Sequence, residues 1–181
     1  RRSDDAVLVP RPGGCRPHQL MESASESLTP VGRALRDRNI PFREFRHPGP
    51  VSSLEQAAAE RGQRLEQIIR SILFRLAQDE YLMMLVAGPR QVDWKALRHY
   101  VGQSRLTMAS ADEVREVTGY EIGAVSPFAL ARPVWVMLDE SVTREEEISI
   151  GSGVRSTTVI LKSADLMRAL GGVERVSLTH D

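Results

Sequence analysis

Residues 81–87, Tyr-Leu-Met-Met-Leu-Val-Ala, are apolar on both faces of an extended chain. A strand of that kind belongs in the middle of a sheet, with cover on both sides. It follows Ile68 to Ala77, a second strand-like run, across the polar turn Gln78-Asp79-Glu80, so the two form an antiparallel hairpin. The chain must then supply packing elements for both faces of one sheet. Gly88-Pro89 marks where the central strand stops.

The remaining elements are short and interleaved. Thr29 caps a helix with Pro30 in its first position, and the stretch from Asn39 to Pro41 closes it. Phe42 to Arg46 alternates as a strand, and Ser53 caps a helix from Leu54 to Arg61 that Gly62 stops. Asp93 caps a third helix with Trp94, Leu97 and Val101 on one face, followed by a short strand at Leu106 to Met108. Ser110-Ala111-Asp112-Glu113 is a capping box for a fourth helix that ends near Thr118-Gly119. Strands are expected at Val134 to Leu138, around Ile148 to Ile150 and at Thr157 to Leu161. A last helix, capped by Ser163, should run to Leu170, with an edge strand over Val173 to Leu178. This irregular alternation predicts an α/β fold with a mixed, curled, barrel-like sheet flanked by helices, as one domain over residues 21–181. Residues 1–20 differ, with Arg1-Arg2, three prolines and Gly13-Gly14; they read as a disordered N-terminal extension or a translation-start artefact.

Composition excludes several function classes. The hydrophobic fraction of 41% and the charged fraction of 27% are those of a globular protein, and no apolar run approaches the roughly 20 residues that span a bilayer. The formal net charge is zero, whereas a protein gripping a long nucleic acid would carry a basic excess, so any such contact should be small and local. The single cysteine, Cys15, forbids an internal disulfide and a cysteine metal cage, and the four histidines show no ligand spacing. Neither a metal nor another cofactor is expected, and a cytoplasmic location is.

The segment from Thr118 to Phe128 is too apolar for a solvated loop and too rich in glycine and proline for a helix or long strand. Ile122, Val125 and Phe128 must pack somewhere, so the backbone should be held in one shape. Gly119 and Gly123 allow backbone amides to approach a ligand closely, and Pro127 fixes one φ and removes a donor. A pocket rim is one reading; a structural crossover between helix and strand is the plainer one. Arg70 opens an otherwise apolar strand face with Ile72, Phe74 and Leu76, and needs either a route to solvent or an anionic partner such as a phosphate or carboxylate. Gly151-Ser152-Gly153 is a turn in which Ser152 could donate to a ligand. His47 and His99 have no evident nucleophile beside them, so a core or surface role competes with ligand contact at His47. No catalytic triad, phosphate loop or dinucleotide fingerprint is present.

In order, these segments resemble the YbaK/ProX-like aminoacyl-tRNA-editing domains, from about Thr29 to Leu178. The most specific part is Thr118-Gly119-Tyr120 followed by Gly123-Ala124-Val125-Ser126-Pro127, which is similar to that family's Gly-x-x-x-Pro substrate loop. Ala57-Ala58, Ile68 to Phe74, Asp139-Glu140-Ser141 and Ile148 to Gly153 add to the likeness. The resemblance implies a cleft for the aminoacylated 3′ end of a transfer RNA and hydrolysis of the ester to a wrongly attached amino acid. It implies that the loop Gly123 to Pro127 orients the acyl group and ribose, while a water assisted by the substrate's own ribose hydroxyl attacks. Arg70 stands where the family usually has a lysine; Gly151 stands where the cysteine-clearing branch carries a serine, which argues against cysteine as the amino acid. Arg70, Gly151, Ser152 and His47 form the expected substrate-binding set. The chain, shorter than a synthetase, reads as a free-standing trans-editing deacylase with aminoacyl-tRNA, and a synthetase in addition, as partners. The alternative is a non-hydrolytic module that binds aminoacylated ends or a synthetase. The sequence leaves the oligomeric state open.

Overall fold

The computed structural model describes residues 28–181; the extension expected over residues 1–20 lies outside them. The helices are α1 (Pro30–Asp37), α2 (Leu54–Arg61), α3 (Trp94–Val101), α4 (Ala111–Thr118) and α5 (Ser163–Leu170). The strands are β1 (Arg43–Arg46), β2 (Ile69–Ala77), β3 (Glu80–Ala87), β4 (Gln91–Val92), β5 (Thr107–Met108), β6 (Trp135–Asp139), β7 (Glu147–Gly151), β8 (Thr157–Lys162), β9 (Glu174–Val176) and β10 (Thr179–His180).

The helix starts follow local chemistry. Thr29 accepts from Gly32 N, Ser53 from Gln56 N, and Asp93 from Ala96 N, so each satisfies an amide that the first helical turn leaves without a partner. Ser110 and Glu113 form the expected reciprocal capping box. Ser163 does not cap α5. It is the first helical residue, Lys162 holds the cap position without a side-chain bond, and the Ser163 hydroxyl donates to Glu146 O instead. The strand β8 runs without a break into α5, so Ser163 turns inward before it can reach the helix's free amides.

The mixed sheet has the order β5-β2-β3-β6-β9, with β2 antiparallel to β3, and β6 and β9 parallel to their neighbours. A second sheet, β1-β8-β7, is antiparallel, and a parallel bridge from Ile68 to Ser149 joins its edge to the start of β2. The strands therefore curl around one core as expected but do not close into a barrel. β4 and β10 pair in a third sheet, which the sequence had not suggested because two-residue strands carry no periodicity.

Strand β3 occupies the centre, and Leu82 to Val86 are fully buried. One face meets Ile148, Ile150, Val159 and Leu161 of the second sheet together with Val31 and Leu35 of α1; the other meets Leu97 of α3. Each such Leu or Met side chain contributes about 1.5–3 kcal/mol on burial, so this strand anchors both halves of the core.

Asp139 fastens the C-terminal segment to the end of β6. Its buried carboxylate accepts from Ser141 N at 3.0 Å, Leu178 N at 3.1 Å and Thr179 Oγ1 at 3.0 Å. Replacement by alanine leaves those donors without an acceptor. Asp139→Ala is expected to lower the unfolding free energy by about 3 kcal/mol, read from urea denaturation; a loss under about 1 kcal/mol would show that water replaces the carboxylate.

Candidate functional site

The loop after α4 is held in one shape. Thr118 Oγ1 donates to Val114 O at 2.6 Å and accepts from Tyr120 N at 3.0 Å. The buried Tyr120 hydroxyl lies 2.8 Å from Phe128 O and 3.0 Å from Ala129 O, so one phenol closes the whole segment from 120 to 129. Burial raises the Tyr120 pKa and keeps this donor protonated. Gly153 N donates to Ala124 O at 2.9 Å, which ties the loop to the turn between β7 and β8.

Gly151 permits the closest approach. A Cβ there would stand 2.0 Å from Val125 O and 2.8 Å from Val125 C, so any side chain would displace the loop backbone. Gly123 is constrained differently: its φ is +94°, while no heavy atom lies within 4 Å of a Cβ placed on it. Backbone conformation, not crowding, restricts that position.

Between this loop, the start of β2, the outer face of β7 and β8, and α2 lies a cavity of about 770 Å³. Of the residues expected from sequence, Gly123, Val125, Arg70, Gly151 and His47 line it. Ala124 and Ser126 are buried behind the loop. Pro127 lines a separate cavity with Arg38 and Phe128 on the loop's other side. Ser152 is fully buried and its hydroxyl is engaged within the turn, with Val154 O at 2.9 Å, Thr157 O at 2.8 Å and Val154 N at 3.1 Å. Ile122 does not pack as expected: it is 59% exposed at the cavity rim, as is Met108 at 60%, while Phe128 is buried. Among the described residues, the amides of Gly123, Val125 and Ser126 have no protein acceptor.

The electrostatics of the lining are one-sided. Among the described residues it contains Arg61, Arg70 and Arg155 but no Asp or Glu. Arg70 donates through Nη2 to Arg90 O, its buried Nε has no partner, and burial lowers its pKa. Arg61 is lowered to about 10, again chiefly by burial. Arg155 pairs with Glu121 at 3.7 Å, outside the lining. His47 is buried and engaged at both ring nitrogens, Nδ1 with Glu60 Oε2 and Nε2 with Arg61 Nη1 at 3.2 Å. Because the guanidinium can only donate, Nε2 accepts and the proton sits on Nδ1. The hydroxyls of Ser71 and Ser149, both lining the cavity, are buried without a partner among the described residues. Sequence reading missed Arg61, Ser71 and Ser149. Strand alternation sets Ser71 opposite Arg70 and Ser149 opposite Ile148 and Ile150, but it does not show which face meets a cavity, and nothing local marks Arg61.

The sequence pattern of the aminoacyl-tRNA editing domain matches residues 48–169, more than half of the 181. The chain belongs to that family. It is 36% identical over 115 residues to the uncharacterized protein YwhH of Bacillus subtilis, covering 64% of this chain and 73% of that one. It is 29% identical over 131 residues to the multifunctional Ser/Thr-tRNA deacylase ProXp-y of Escherichia coli, covering 70% of this chain and 78% of the relative. A proline–tRNA ligase of Thermosipho melanesiensis is 28% identical over 115 residues, but the match spans 20% of that enzyme. Among solved structures, one described as a candidate trans-editing enzyme for prolyl tRNA synthetase superposes with a TM-score of 0.75 at 28% identity, covering 86% of this chain and all of that one.

Two outcomes follow from this geometry. Gly151→Ser should displace the Val125 carbonyl and cost about 1–3 kcal/mol of stability, measured by chemical denaturation; unchanged stability would mean that the loop moves freely. Glu60 is held below its ordinary pKa, first by the Gln56 hydrogen bond and then by that of His47. Its contribution is therefore complete above the ordinary carboxylate pKa and lost as pH falls through the lowered value. Thermal unfolding of wild type and Glu60→Ala should differ at pH 7 and converge only once the pH falls below the lowered value, beneath the ordinary carboxylate range; a constant gap would refute the assignment.

Proposed function

We propose that the chain hydrolyses the ester between a wrongly attached amino acid and the 3′-terminal adenosine of a transfer RNA, acting in the cytoplasm as a trans-editing deacylase. The observation that carries this reading is a cavity with three arginines and, among the described residues, no carboxylate in its lining, against a loop whose Gly123 and Val125 amides have no acceptor among those residues. Its volume falls in the range of about 300–1,000 Å³ typical of small-ligand sites, enough for a nucleoside with its acyl group but not for a duplex. Membership of the editing family supports the same substrate class.

Among the described residues the lining offers no Asp, Glu, Cys or Lys, and the His47 ring is engaged at both nitrogens, so no lining Ser or Thr hydroxyl has a free base beside it to activate it as a nucleophile. In the proposed reaction a water attacks the ester carbonyl, assisted by the neighbouring ribose hydroxyl. The loop amides stabilise the oxyanion of the tetrahedral intermediate. The bond to the ribose oxygen then breaks, that oxygen takes a proton, and free amino acid leaves. Arg70 holds the terminal nucleotide, and the exposed Met108 and Ile122 give the base an apolar rim. The unpartnered hydroxyls of Ser71 and Ser149 suit an acyl group with a small polar side chain. Seryl and threonyl esters therefore come first, in keeping with the name of the E. coli relative.

Single-turnover hydrolysis of seryl-, threonyl-, alanyl- and cysteinyl-tRNA, on cognate and non-cognate tRNAs, tests the reading. Loss of one mischarged species is expected, with Gly123→Val slower by about 100-fold, the scale set by losing one oxyanion donor. If the wild type binds these tRNAs and releases no amino acid, the protein is a recognition module instead. In that case Arg70→Lys, which restores the family's usual residue, should be tried for gain of activity.

A further inference from the structure

Arg61 ends α2 and lines the cavity that also contains Arg70. A cation at a helix C-terminus ordinarily points to solvent, where it meets the helix dipole at little cost. Arg61 instead carries its guanidinium inward, and burial holds its pKa well below the usual arginine value. It has no carboxylate ion pair among the described residues: Nε donates to Gln63 Oε1 at 3.2 Å and Nη1 to His47 Nε2 at 3.2 Å. The adjacent Glu60 carboxylate attracts the charge without bonding to it, and Nη2 donates to no described residue. Behind it the bonding runs in one direction, from His47 Nδ1 to Glu60 and from Gln56 Nε2 to the same carboxylate. The His47 backbone is also fixed, donating to Ser156 O at 2.8 Å. A half-buried guanidinium with Nη2 uncommitted, facing a cavity whose described lining has no acidic group, is placed to take an anion.

We propose that Arg61 is a second anion-holding residue of this site, which with Arg70 clamps a phosphate group of the bound nucleotide, and that His47 is a positioning residue that aims Arg61. The assignment of that phosphate to the 3′ end of a transfer RNA rests on the deacylase reading; the anion site itself does not. The arrangement also resolves the role of His47, whose ring nitrogens are both occupied before any ligand arrives.

The test compares two non-hydrolysable probes, 3′-amino-3′-deoxyadenosine carrying an amide-linked serine, with and without a 5′-phosphate. Their affinities are measured by calorimetry on the full chain. Wild type should bind the phosphorylated probe at least about tenfold tighter, the low end for a charge-assisted hydrogen bond. In Arg61→Gln that increment should fall below about threefold while the phosphate-free probe binds as before, and Arg61→Lys should keep part of it. His47→Phe, which keeps a ring against Phe45 but removes the Nε2 acceptor, should reduce the increment in the same selective way. Equal weakening of both probes in Arg61→Gln would show a purely structural role and overturn the clamp. Equal binding of both probes by wild type overturns the clamp while leaving the deacylase reading intact; no binding of either overturns both.

Discussion

The site depends on one close contact, that of the Val125 carbonyl against the Cα of Gly151. It brings an irregular loop onto the outer face of a strand at a distance that excludes every side chain. The bond from Gly153 N to Ala124 O and the Tyr120 phenol then hold the loop there. Because the strand belongs to a sheet whose other face is core, loop and core are rigidly coupled. In the proposed reaction the loop amides must be fixed in advance to stabilise developing charge, and this contact supports that reading.

The second organising constraint is electrostatic. A chain with no net charge places three arginines and, among the described residues, no acid around one cavity, so charge is distributed unevenly over the molecule. Such an arrangement suits the short anionic ligand proposed above, because it adds no basic excess that would attract long nucleic acid indiscriminately. Withdrawal of His47 into a hydrogen-bonded chain with Glu60 and Arg61 fits the same logic: both of its ring nitrogens are committed to that chain.

Much of the architecture was legible in local sequence, because its causes are local. Thr29, Ser53, Asp93 and the pair Ser110 and Glu113 declare helix starts through hydrogen bonds spanning three residues, and these are the bonds found. The doubly apolar run at Leu82 to Val86 required a central strand and became one. Ser163 misled because the same residue type caps a helix or serves a neighbouring strand, depending on the direction from which the chain arrives. The pairing of Gln91–Val92 with Thr179–His180 joins residues almost ninety apart and leaves no local trace.

By itself, then, the sequence determined the order of elements, the central strand, the fixed loop and, through resemblance, the family, since each is written in residues close together in the chain. Only the tertiary structure decided which groups share the cavity. Arg61 and Ser149 come from different elements and are silent in sequence, while Ala124, Ser126, Pro127 and Ser152, prominent in sequence, face away from it. The reason is geometric. Which side of a loop meets a ligand depends on the surface it is pressed against, and here that surface is set by a glycine more than twenty residues further along the chain.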